Sequence, residues 1–461
     1  MIHEPTNAIK GDTGLAGVQW LLNGAAPREA LRDALAGLLP NPGLLGPCRL
    51  HRAKYKPNRH LTAYYEVSVR DPAGGGESLR QVEVVWKPEG TPSAQDWAEL
   101  MAMEEEAQQL GEVAPFLHLV ADEPDWGFRL RVSPLDPKFP QLARLSDPVH
   151  VQTFLSKAYG ANGGPPAERY TVNVVRYRPG QRHMLRYDPG GIMGEGSLFA
   201  KIYNSDKGER ISAVVSTVAD WLRARGAEID TARPFAYLPE ESTILYPWVS
   251  GTALSQLLQK PDATAMAQLA RAGKALRQLH QIPPELVELK PHSLAKELKG
   301  IASAAEHIHT LLPITGAQIK NILARAEALH ERLPQEPPGF AYGDFKSDHI
   351  WVTEGPLTLI DFDTCYLFDP AIDLGKYLAD LRWWYDSYAQ PGVEIAQEHF
   401  LDAYDPAPER MPRARLYEVL VLVKTVARRV RLFDDNWAER TTELIEQADE
   451  LLSKLERSAG V

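Results

Sequence analysis

The run Tyr342 to His349, which reads Tyr-Gly-Asp-Phe-Lys-Ser-Asp-His, contains the residue types in this chain best suited to chemistry. Its first carboxylate, Asp344, is followed five residues later by His349, and Asp361 ends an apolar segment shortly afterwards. Transfer of a phosphoryl group from a nucleotide to a hydroxyl group needs one carboxylate that orients or deprotonates the acceptor. It also needs a second carboxylate that holds Mg²⁺ against the phosphates, with a further metal ligand close to the first. The spacing of these residues therefore predicts phosphoryl transfer.

A short hairpin is expected to position these groups. The apolar segment 350–352 is separated by Glu354-Gly355-Pro356 from a strand-like segment, 357–360, which leads directly into Asp361. The run Asp369-Pro370-Ala371-Ile372-Asp373-Leu374 then begins a helix. Capping of turns and of a helix start would explain each of these aspartates separately. It does not explain why they follow Asp344 in this order.

Three linked motifs resemble those of the aminoglycoside phosphotransferase and choline kinase-like family. Gly343-Asp344, Ile360-Asp361-Phe362 and the run 369–374 match the family pattern in order and spacing. Two positions depart from it, because Tyr342 stands where histidine is usual and His349 where asparagine or glutamine is usual. The resemblance implies a two-lobed protein-kinase-like fold of the α+β class. Its small lobe is an antiparallel β-sheet, and its large lobe is mainly helical.

The resemblance also assigns roles within the large lobe. Asp344 is expected to be catalytic, and Lys346 matches the lysine that reaches the transferring phosphate in protein kinases. His349, Asp361 and Asp363 are the expected metal ligands. The expected metal is Mg²⁺, although the imidazole of His349 suits Mn²⁺ better because Mg²⁺ prefers oxygen ligands.

In the small lobe, the resemblance predicts the groups that bind ATP or GTP. Lys201 is expected to pair with the α- and β-phosphates, and the turn at Gly180 to cover them. Tyr246 and Trp248 lie in the segment that resembles the hinge holding the adenine. The helix expected after Lys201 has Val215 where the family pattern places the glutamate partner of this lysine.

An internal repeat precedes and includes this small lobe. Lys54 to Leu61 resembles Arg176 to Met184, and Val84 to Lys87 resembles Leu198 to Lys201. We interpret this as a duplication that covers roughly 47–145 and 170–258; the alternative is a chance match of two basic hairpins. The interpretation predicts three domains. They are an N-terminal domain resembling a degenerate small lobe (1–150), the nucleotide-binding small lobe (151–252) and the helical large lobe (253–461).

The large lobe is expected to be built from amphipathic helices. Helical spacing of apolar residues predicts helices over 262–281, 315–333, 417–433 and 441–455, and a short helical region over 15–40. His280, at the end of the first of these, is expected to pack or cap rather than to catalyse. The aromatic and acidic segment 381–388 suits a cationic amine or a sugar as acceptor, although residues at this spacing more often belong to a core.

Composition narrows the class of protein. With 461 residues, 44% hydrophobic and 24% charged residues, the chain is typical of a globular protein with several domains. The net charge of −11 argues against nucleic acid as a partner, since binding would require many basic residues. Cys48 and Cys365 are the only cysteines, which predicts a reducing, cytoplasmic location without disulfides. The absence of a run of 18 apolar residues argues against a membrane span.

The sequence therefore predicts a metal-dependent enzyme that moves the γ-phosphate of ATP or GTP to a hydroxyl group of a small molecule. Aminoglycosides, amino alcohols and sugar-like acceptors remain open, and a homodimer is compatible with the repeat. The alternative is a non-catalytic nucleotide-binding pseudokinase or scaffold of the same fold. The departures at Tyr342, His349 and Val215 motivate this alternative.

Overall fold

The computed structural model describes residues 5–72, 74, 76–88, 94–160 and 167–460. Close contacts divide the chain into two compact units. The first unit comprises 1–208, 235–248 and 431–437, and the second comprises 209–234, 249–430 and 438–461. The chain therefore alternates between the units instead of completing one before it begins the other.

The described residues form more helix than strand, and most of the strands lie before residue 260. The helices are α1 (Pro5–Lys10), α2 (Gly14–Asn23), α3 (Ala25–Gly37), α4 (Ala94–Gln109), α5 (Leu142–Ser146), α6 (Pro148–Tyr159), α7 (Lys207–Ala224), α8 (Leu254–Leu257), α9 (Ala263–Leu279), α10 (Leu294–Ala304), α11 (Glu306–Leu311), α12 (Pro313–His330), α13 (Ala371–Ser387), α14 (Val393–Tyr404), α15 (Arg410–Arg429) and α16 (Trp437–Ser458). The strands are β1 (Leu45–Lys56), β2 (His60–Arg70), β3 (Glu77–Trp86), β4 (Val120–Glu123), β5 (Phe128–Val132), β6 (Tyr170–Arg178), β7 (Arg182–Pro189), β8 (Leu198–Ile202), β9 (Ile229–Thr231), β10 (Ala236–Leu238), β11 (Thr243–Pro247), β12 (Thr252–Ala253), β13 (Lys290–Pro291), β14 (Gly339–Ala341), β15 (Ile350–Val352), β16 (Leu357–Leu359) and β17 (Tyr366–Phe368).

The first unit contains two five-stranded antiparallel sheets. One has the order β1-β2-β3-β5-β4, and the other has the order β6-β7-β8-β11-β10. Each sheet begins with two long antiparallel strands, and in each a helix follows the third strand, namely α4 after β3 and α7 after β8. The same strand order is what the proposed duplication requires, and the duplication stays a prediction.

Both initial hairpins turn at residues suited to a left-handed backbone. Asn58 has φ 59° between β1 and β2, and Gly180 has φ 69° between β6 and β7. Asparagine and glycine are the residues that adopt this conformation most readily. The strands on either side are rich in β-branched and aromatic residues, which favour a pleated sheet.

The second sheet packs on α5 and α6. Apolar side chains from both helices meet those of β6, β7, β8 and β11 in one buried cluster. The cluster includes Phe139, Leu142, Phe154, Tyr170, Tyr177, Leu185 and Tyr187. Burial of this much apolar area stabilises the sheet that contains Lys201.

The second unit is mainly helical and contains two small sheets. One has the order β12-β15-β16-β9, in which β9 pairs in parallel with β16. The other has the order β13-β17-β14. β14 leads into the Asp344 loop and β16 leads into Asp361, so the two sheets fix the chain on both sides of the expected site.

Two glycines allow helices of this unit to approach closely. A Cβ atom added at Gly375 of α13 would lie 2.4 Å from Tyr417 Cβ and 2.6 Å from Ala414 O, both in α15. A Cβ atom added at Gly273 of α9 would lie 2.2 Å from Phe400 O in α14. None of these distances leaves room for a methyl group. Both helix pairs therefore depend on glycine at the point of contact.

The predicted α+β class and the main secondary structure are confirmed. The five predicted helical regions correspond to α2 and α3, α9, α12, α15 and α16, and the predicted hairpin after His349 is β15–β16. Within the described ranges, no helix combines the length and apolar character needed to cross a membrane. The three predicted domains stay a prediction, since residues 1–208 form a single unit by contact.

Candidate active site

The loop after β14 is anchored by Asp373 of α13. The Asp373 carboxylate accepts hydrogen bonds from the backbone amides of Tyr342 and Gly343, both at 2.7 Å. It also lies 3.2 Å from Nε2 of His280, which packs against Tyr404 at the end of α9. Asp373 therefore holds this loop through two backbone amides, and His280 has the packing role expected of it.

Gly343 is required by the shape of the loop. It has φ 80°, a conformation that glycine adopts without a steric cost. A Cβ atom at this position would lie 2.6 Å from both Thr364 O and a ring carbon of Tyr366. The residue before Asp344 therefore combines a left-handed backbone with a close approach to the segment after Asp361.

Tyr342 links the Asp344 loop to the end of β16. Its hydroxyl donates to the backbone carbonyl of Asp361 at 2.9 Å and also contacts the carbonyl of Ile360. The side chain is fully buried, and its ring packs edge-on against Phe362. Burial and the nearby carboxylates raise the pKa of Tyr342 far above its usual range. The tyrosine is therefore a neutral donor that ties together the two segments carrying Asp344 and Asp361.

Asp344 is held between two lysines. Lys346 Nζ lies 2.9 Å from Asp344 Oδ2, and Lys376 Nζ of α13 lies 3.2 Å from Asp344 Oδ1. Burial by itself would raise the pKa of Asp344, but the charges of Lys376 and Lys346 and the hydrogen bond from Lys346 hold this pKa well below its usual range. The carboxylate is therefore anionic and oriented at both oxygens.

His349 is buried beside Asp344 in the neutral form. Burial lowers its pKa to about 4, against the opposing effect of the Asp344 charge. Its Nδ1 lies 3.1 Å from the backbone carbonyl of Asp344, which favours the tautomer with the proton on Nδ1. Nε2, which lies 3.6 Å from Asp361 Oδ2, is then the atom with an available lone pair. Neutral imidazole with its second nitrogen fixed by a hydrogen bond is the form in which histidine binds metal ions.

Asp344, His349 and Asp361 together form a group suited to a divalent cation. One ligand atom from each lies within 4.8 Å of the others. Two carboxylates and one imidazole fit Mn²⁺ or Zn²⁺ and also accommodate Mg²⁺ through the carboxylates. Asp361 has φ 69°, a left-handed backbone that aspartate tolerates better than most residues and that turns the chain away from β16.

Of the site residues expected in the large lobe, the structure brings together Asp344, Lys346, His349 and Asp361. Asp363 lies two residues beyond Asp361 and is not a member of this group among the described residues. Its assignment as a metal ligand stays a prediction.

The expected nucleotide-binding residues lie in the first unit. Lys201 is buried in β8, between Met184 of β7 and Ile244 of β11 in register. Tyr246 belongs to β11, and the Trp248 amide donates to Ser197 O at 3.1 Å. Val215, on α7, is an apolar buried residue and cannot pair with a cation. The roles of Lys201, Tyr246 and Trp248 stay predictions.

The turn at Gly180 has an internal partner. Its amide donates to Asp136 Oδ2 at 2.6 Å, and the same oxygen lies 2.7 Å from His183 Nε2. Asp136 and His183 are both fully buried, and although burial raises the pKa of Asp136, the hydrogen bonds from His183 and Gly180 together with nearby positive charge, including Arg131, bring it below its usual value. This carboxylate therefore fixes the turn of the β6–β7 hairpin. The role of Gly180 in covering phosphates stays a prediction. Because the Gly180 amide already donates to Asp136, other groups of the turn would have to contact the phosphates.

The sequence analysis missed two residues of the site. Lys376 contacts Asp344, and Asp380 accepts from the Ser347 amide at 2.7 Å, which fixes the chain just after Lys346. Asp373, Lys376 and Asp380 follow one another at helical spacing and share one face of α13. That spacing is the signal in the sequence that could have identified them.

Comparison with known proteins gives one family match. Residues 192–417 match the family model described as the phosphotransferase enzyme family. None of the curated proteins matches this chain.

Several solved structures match this chain at low sequence identity. A choline/ethanolamine kinase family protein from Mesorhizobium loti is 14% identical, with a TM-score of 0.47 over 67% of this chain and 99% of that chain. A choline kinase from Streptococcus pneumoniae is 12% identical, with a TM-score of 0.44 over 66% and 99%. An aminoglycoside phosphotransferase from Streptomyces rimosus is 19% identical, with a TM-score of 0.40 over 60% and 98%.

Proposed function

We propose that this protein transfers the γ-phosphoryl group of ATP or GTP to a hydroxyl group of a small-molecule acceptor, a proposal supported by the match of residues 192–417 to the model of the phosphotransferase enzyme family. The observation that carries the proposal is the group Asp344, His349 and Asp361, whose ligand atoms lie within 4.8 Å of one another. Its anionic Asp344 is oriented by two lysines. A nucleotide-dependent phosphotransferase needs such a carboxylate next to a cation site.

Each residue of the site has a distinct part in this reaction. Asp344 accepts a hydrogen bond from the acceptor hydroxyl and directs its oxygen toward the γ-phosphorus. Because the pKa of Asp344 is held low, it orients the hydroxyl more than it removes the proton, which suits a loose transition state. Lys346 supplies positive charge where negative charge develops on the transferred group.

His349 and Asp361, with Asp344, would hold the divalent cation. When bound, the cation would neutralise the negative charge of the phosphate oxygens. The Nδ1 contact of His349 keeps Nε2 directed toward Asp361. The hydrogen bond from Tyr342 to the Asp361 carbonyl holds together the segments that carry Asp344 and Asp361. Lys201 is proposed to bind the α- and β-phosphates. In this role its burial in β8 keeps the ammonium in a fixed position.

The first experiment is thermal unfolding with ATP or GTP, each with and without Mg²⁺ or Mn²⁺. A ligand that binds only the folded state stabilises it by about 2.7 kcal/mol at a hundredfold excess over Kd. The matched variant is Asp361→Asn, because asparagine also tolerates the left-handed backbone at this position and removes only the charge. We expect a metal-dependent rise in Tm for the wild type that Asp361→Asn loses.

The control is Asp402→Ala, which removes an exposed carboxylate of α14 in the same unit. It should respond to nucleotide and metal as the wild type does. Absence of a shift for every nucleotide and metal would contradict the proposal.

A second candidate function is nucleotide binding without turnover. It is supported by Val215, since the resemblance predicts a glutamate partner for Lys201 at this position. Turnover with a panel of acceptors, lost in Asp344→Asn, would favour the enzyme. Nucleotide binding that is equal in wild type and Asp344→Asn, with no turnover in either, would favour the scaffold.

A further inference from the structure

The turn of the β6–β7 hairpin has no backbone amide left for a ligand. It consists of Pro179, Gly180 and Gln181, and proline has no N–H group. The Gly180 amide donates to Asp136 Oδ2 at 2.6 Å, and the Gln181 amide donates to the carbonyl of Arg178 at 3.0 Å. If this hairpin covers phosphates, as expected from the sequence, its side chains must make the contacts.

Buried contacts hold this turn in place. The hydroxyl of Tyr177 donates to Leu135 O at 2.8 Å, and His183 Nε2 lies 2.7 Å from the Asp136 carboxylate that also accepts from the Gly180 amide. The side chains of Tyr177, His183 and Asp136 are all buried. Release of the Gly180 amide to a ligand would therefore leave a buried carboxylate without one of its hydrogen bonds, which is costly.

Three arginines share one face of the hairpin. In the register of β6 with β7, Arg178 is opposite Arg182 and Arg176 is opposite Met184. Directly opposed residues, and residues two apart in one strand, lie on the same face of a sheet. The side chains of Arg176, Arg178 and Arg182 therefore belong to one face. Like charges that are directly opposed destabilise a pair of strands, so the pairing of Arg178 with Arg182 does not serve the stability of the hairpin.

Lys201 lies on the same face of the same sheet. Met184, which is opposite Arg176, is in turn opposite Lys201 of β8. Neighbouring strands are about 4.8 Å apart, so the Cα atoms of Arg176 and Lys201 are about 10 Å apart. Tyr246 comes two residues after Ile244, the partner of Lys201 in β11, and so also belongs to this face. The three arginines thus share a face with the lysine proposed to bind the α- and β-phosphates.

Arg178 lacks the partner that a partly buried cation needs. Within the described part of the chain, its side chain makes no hydrogen bond or ion pair with a carboxylate, although the residue is only partly exposed. Burial and the charges of Arg52, Arg176 and Arg182 lower the pKa of Arg178 to about 9. A guanidinium group removed from water needs an anionic partner to offset its desolvation. None of the described residues supplies one, which indicates that the partner is a ligand.

The chemistry of this face fits phosphate groups. A guanidinium group presents its donors in a planar fork that matches two oxygens of a phosphate. Several guanidinium groups on one face favour an anion that carries more than one charge. The terminal phosphates of a nucleotide are such an anion, and the proposed function brings them to the sheet that contains Lys201.

We propose that Arg176, Arg178 and Arg182 bind the terminal phosphates of the nucleotide, the role that the amides of the turn cannot fill. This inference rests on the proposed phosphotransferase function. Lys201 contacts the α- and β-phosphates, and the guanidinium groups contact the phosphate oxygens beyond them. All three arginines precede residue 192, where the match to the phosphotransferase family model begins.

The test compares ligands that differ only in their phosphates. The triphosphate, diphosphate and monophosphate of the nucleoside that binds, the nucleoside itself and tripolyphosphate are titrated calorimetrically with the metal that supports nucleotide binding. We expect Arg178→Met to raise Kd for the triphosphate by about 10- to 100-fold, the size of a lost hydrogen bond to a charged group, and to leave Kd for the nucleoside unchanged. Arg176→Met and Arg182→Met should act in the same direction. Arg178→Lys should recover part of the affinity, because it keeps the charge and loses the fork.

The stability of the ligand-free protein separates a binding role from a structural one. Because Arg178 lies near like charges and has no anionic partner among the described residues, Arg178→Met should raise the Tm measured without ligand. The control Arg169→Met changes an exposed arginine just before β6 and should alter neither the Tm nor any Kd. A lower Tm for Arg178→Met, together with weaker binding of the nucleoside as well as the triphosphate, would show a structural role and overturn the inference.

The remaining outcomes separate this inference from the proposed function. If the triphosphate binds in a metal-dependent way and Arg178→Met keeps the wild-type Kd, the arginines do not bind its phosphates and the nucleotide site stands. If Arg178→Met loses only the binding of tripolyphosphate, the face holds a separate phosphate ligand and the inference is wrong. If no nucleotide binds to the wild type, the proposed function fails and the inference fails with it.

Discussion

At the scale of single residues, the contacts and the charge of Asp344 determine how this carboxylate would take part in the proposed reaction. Its carboxylate contacts Lys346 on one oxygen and Lys376 on the other. Because these charges keep its pKa low, Asp344 would act by orientation in the proposed reaction. Lys376 is a positioning residue in this arrangement, since it acts on the acceptor through Asp344.

We predict that Lys376→Met lowers kcat by about 10- to 100-fold, because a hydrogen bond to a charged group contributes about 1.5–3 kcal/mol. KM for the nucleotide should be unchanged, and Lys376→Arg should restore part of kcat. Steady-state kinetics with an accepted substrate checks this. Lys320→Met, which changes an exposed lysine of α12, is the matched control. A wild-type kcat in Lys376→Met would show that Lys346 alone orients Asp344.

Glu297 connects the stability of the second unit to pH. Burial by itself would raise its pKa, but hydrogen bonds from His292 and Lys424 and the Lys424 charge lower the pKa of Glu297 from 4.5 to about 2. A carboxylate with a lowered pKa stabilises the folded state above its unfolded pKa, and this contribution is lost as the pH falls toward the folded pKa. The window for Glu297 therefore runs from pH 4.5 down to about pH 2.

We predict that Glu297→Gln reduces the free energy of unfolding at pH 7 by on the order of 3 kcal/mol and that the difference from wild type shrinks between pH 4.5 and pH 2. Urea unfolding at a series of pH values measures it. The control, Glu331→Gln, removes an exposed carboxylate and should give no pH-dependent difference. A constant difference between Glu297→Gln and wild type down to pH 2 would contradict this account.

At the scale of helices, the position of Lys376 depends on the contact between α13 and α15. Gly375 precedes it, and a side chain there would meet Tyr417 and the backbone of Ala414 and Glu418 at 2.4–2.6 Å. The contact therefore sets how closely the helix that carries Asp373 and Lys376 approaches α15.

We predict that Gly375→Ala lowers the free energy of unfolding by about 2 kcal/mol or more, because two of the three close contacts are with backbone atoms that cannot rotate away. Gly300→Ala in α10 is the matched control, since no atom lies within 4 Å of its added Cβ. That control should stabilise the protein by about 0.5–1 kcal/mol through helix propensity. Chemical denaturation of both variants tests the pair, and equal effects would contradict the packing argument.

The sequence predicted local elements better than contacts between them. The hairpin at His349 and the helices α9, α12, α15 and α16 follow from apolar spacing and from breakers such as Glu354-Gly355-Pro356. The grouping of Asp344, His349 and Asp361 followed from linked motifs. Lys376 was missed because its only signal is its position three residues after Asp373 on the same face of α13, and spacing along a helix does not show which loop that face meets. The Asp136 contact with Gly180 was missed because 44 residues separate them.

At the scale of the whole molecule, the chain returns to the first unit twice after leaving it at residue 208. The segment 209–234, which lies before the predicted boundary at 252, belongs to the second unit. It supplies β9, which pairs in parallel with β16 through Leu357 N to Glu228 O at 2.9 Å and Ala232 N to Leu359 O at 3.0 Å. The strand that leads to Asp361 is thus completed by a remote part of the sequence.

We predict that a fragment containing only residues 253–461 fails to form a stable domain, because the β16 edge is left without its partner. Expression followed by circular dichroism and hydrogen exchange tests this, and the full chain is the control. A soluble fragment with cooperative unfolding and protected amides in β16 would contradict it.

The parallel pairing of β9 with β16 also limits which fragments of this protein can be produced as stable pieces. A single cut in the gene at any point between β8 and β16 separates either β9 from the strand that precedes Asp361 or β10 and β11 from the sheet of Lys201. The residues proposed to bind the nucleotide and those proposed to bind the acceptor therefore cannot be expressed as two separate contiguous fragments. Point substitutions in the intact chain are therefore the means of assigning each role.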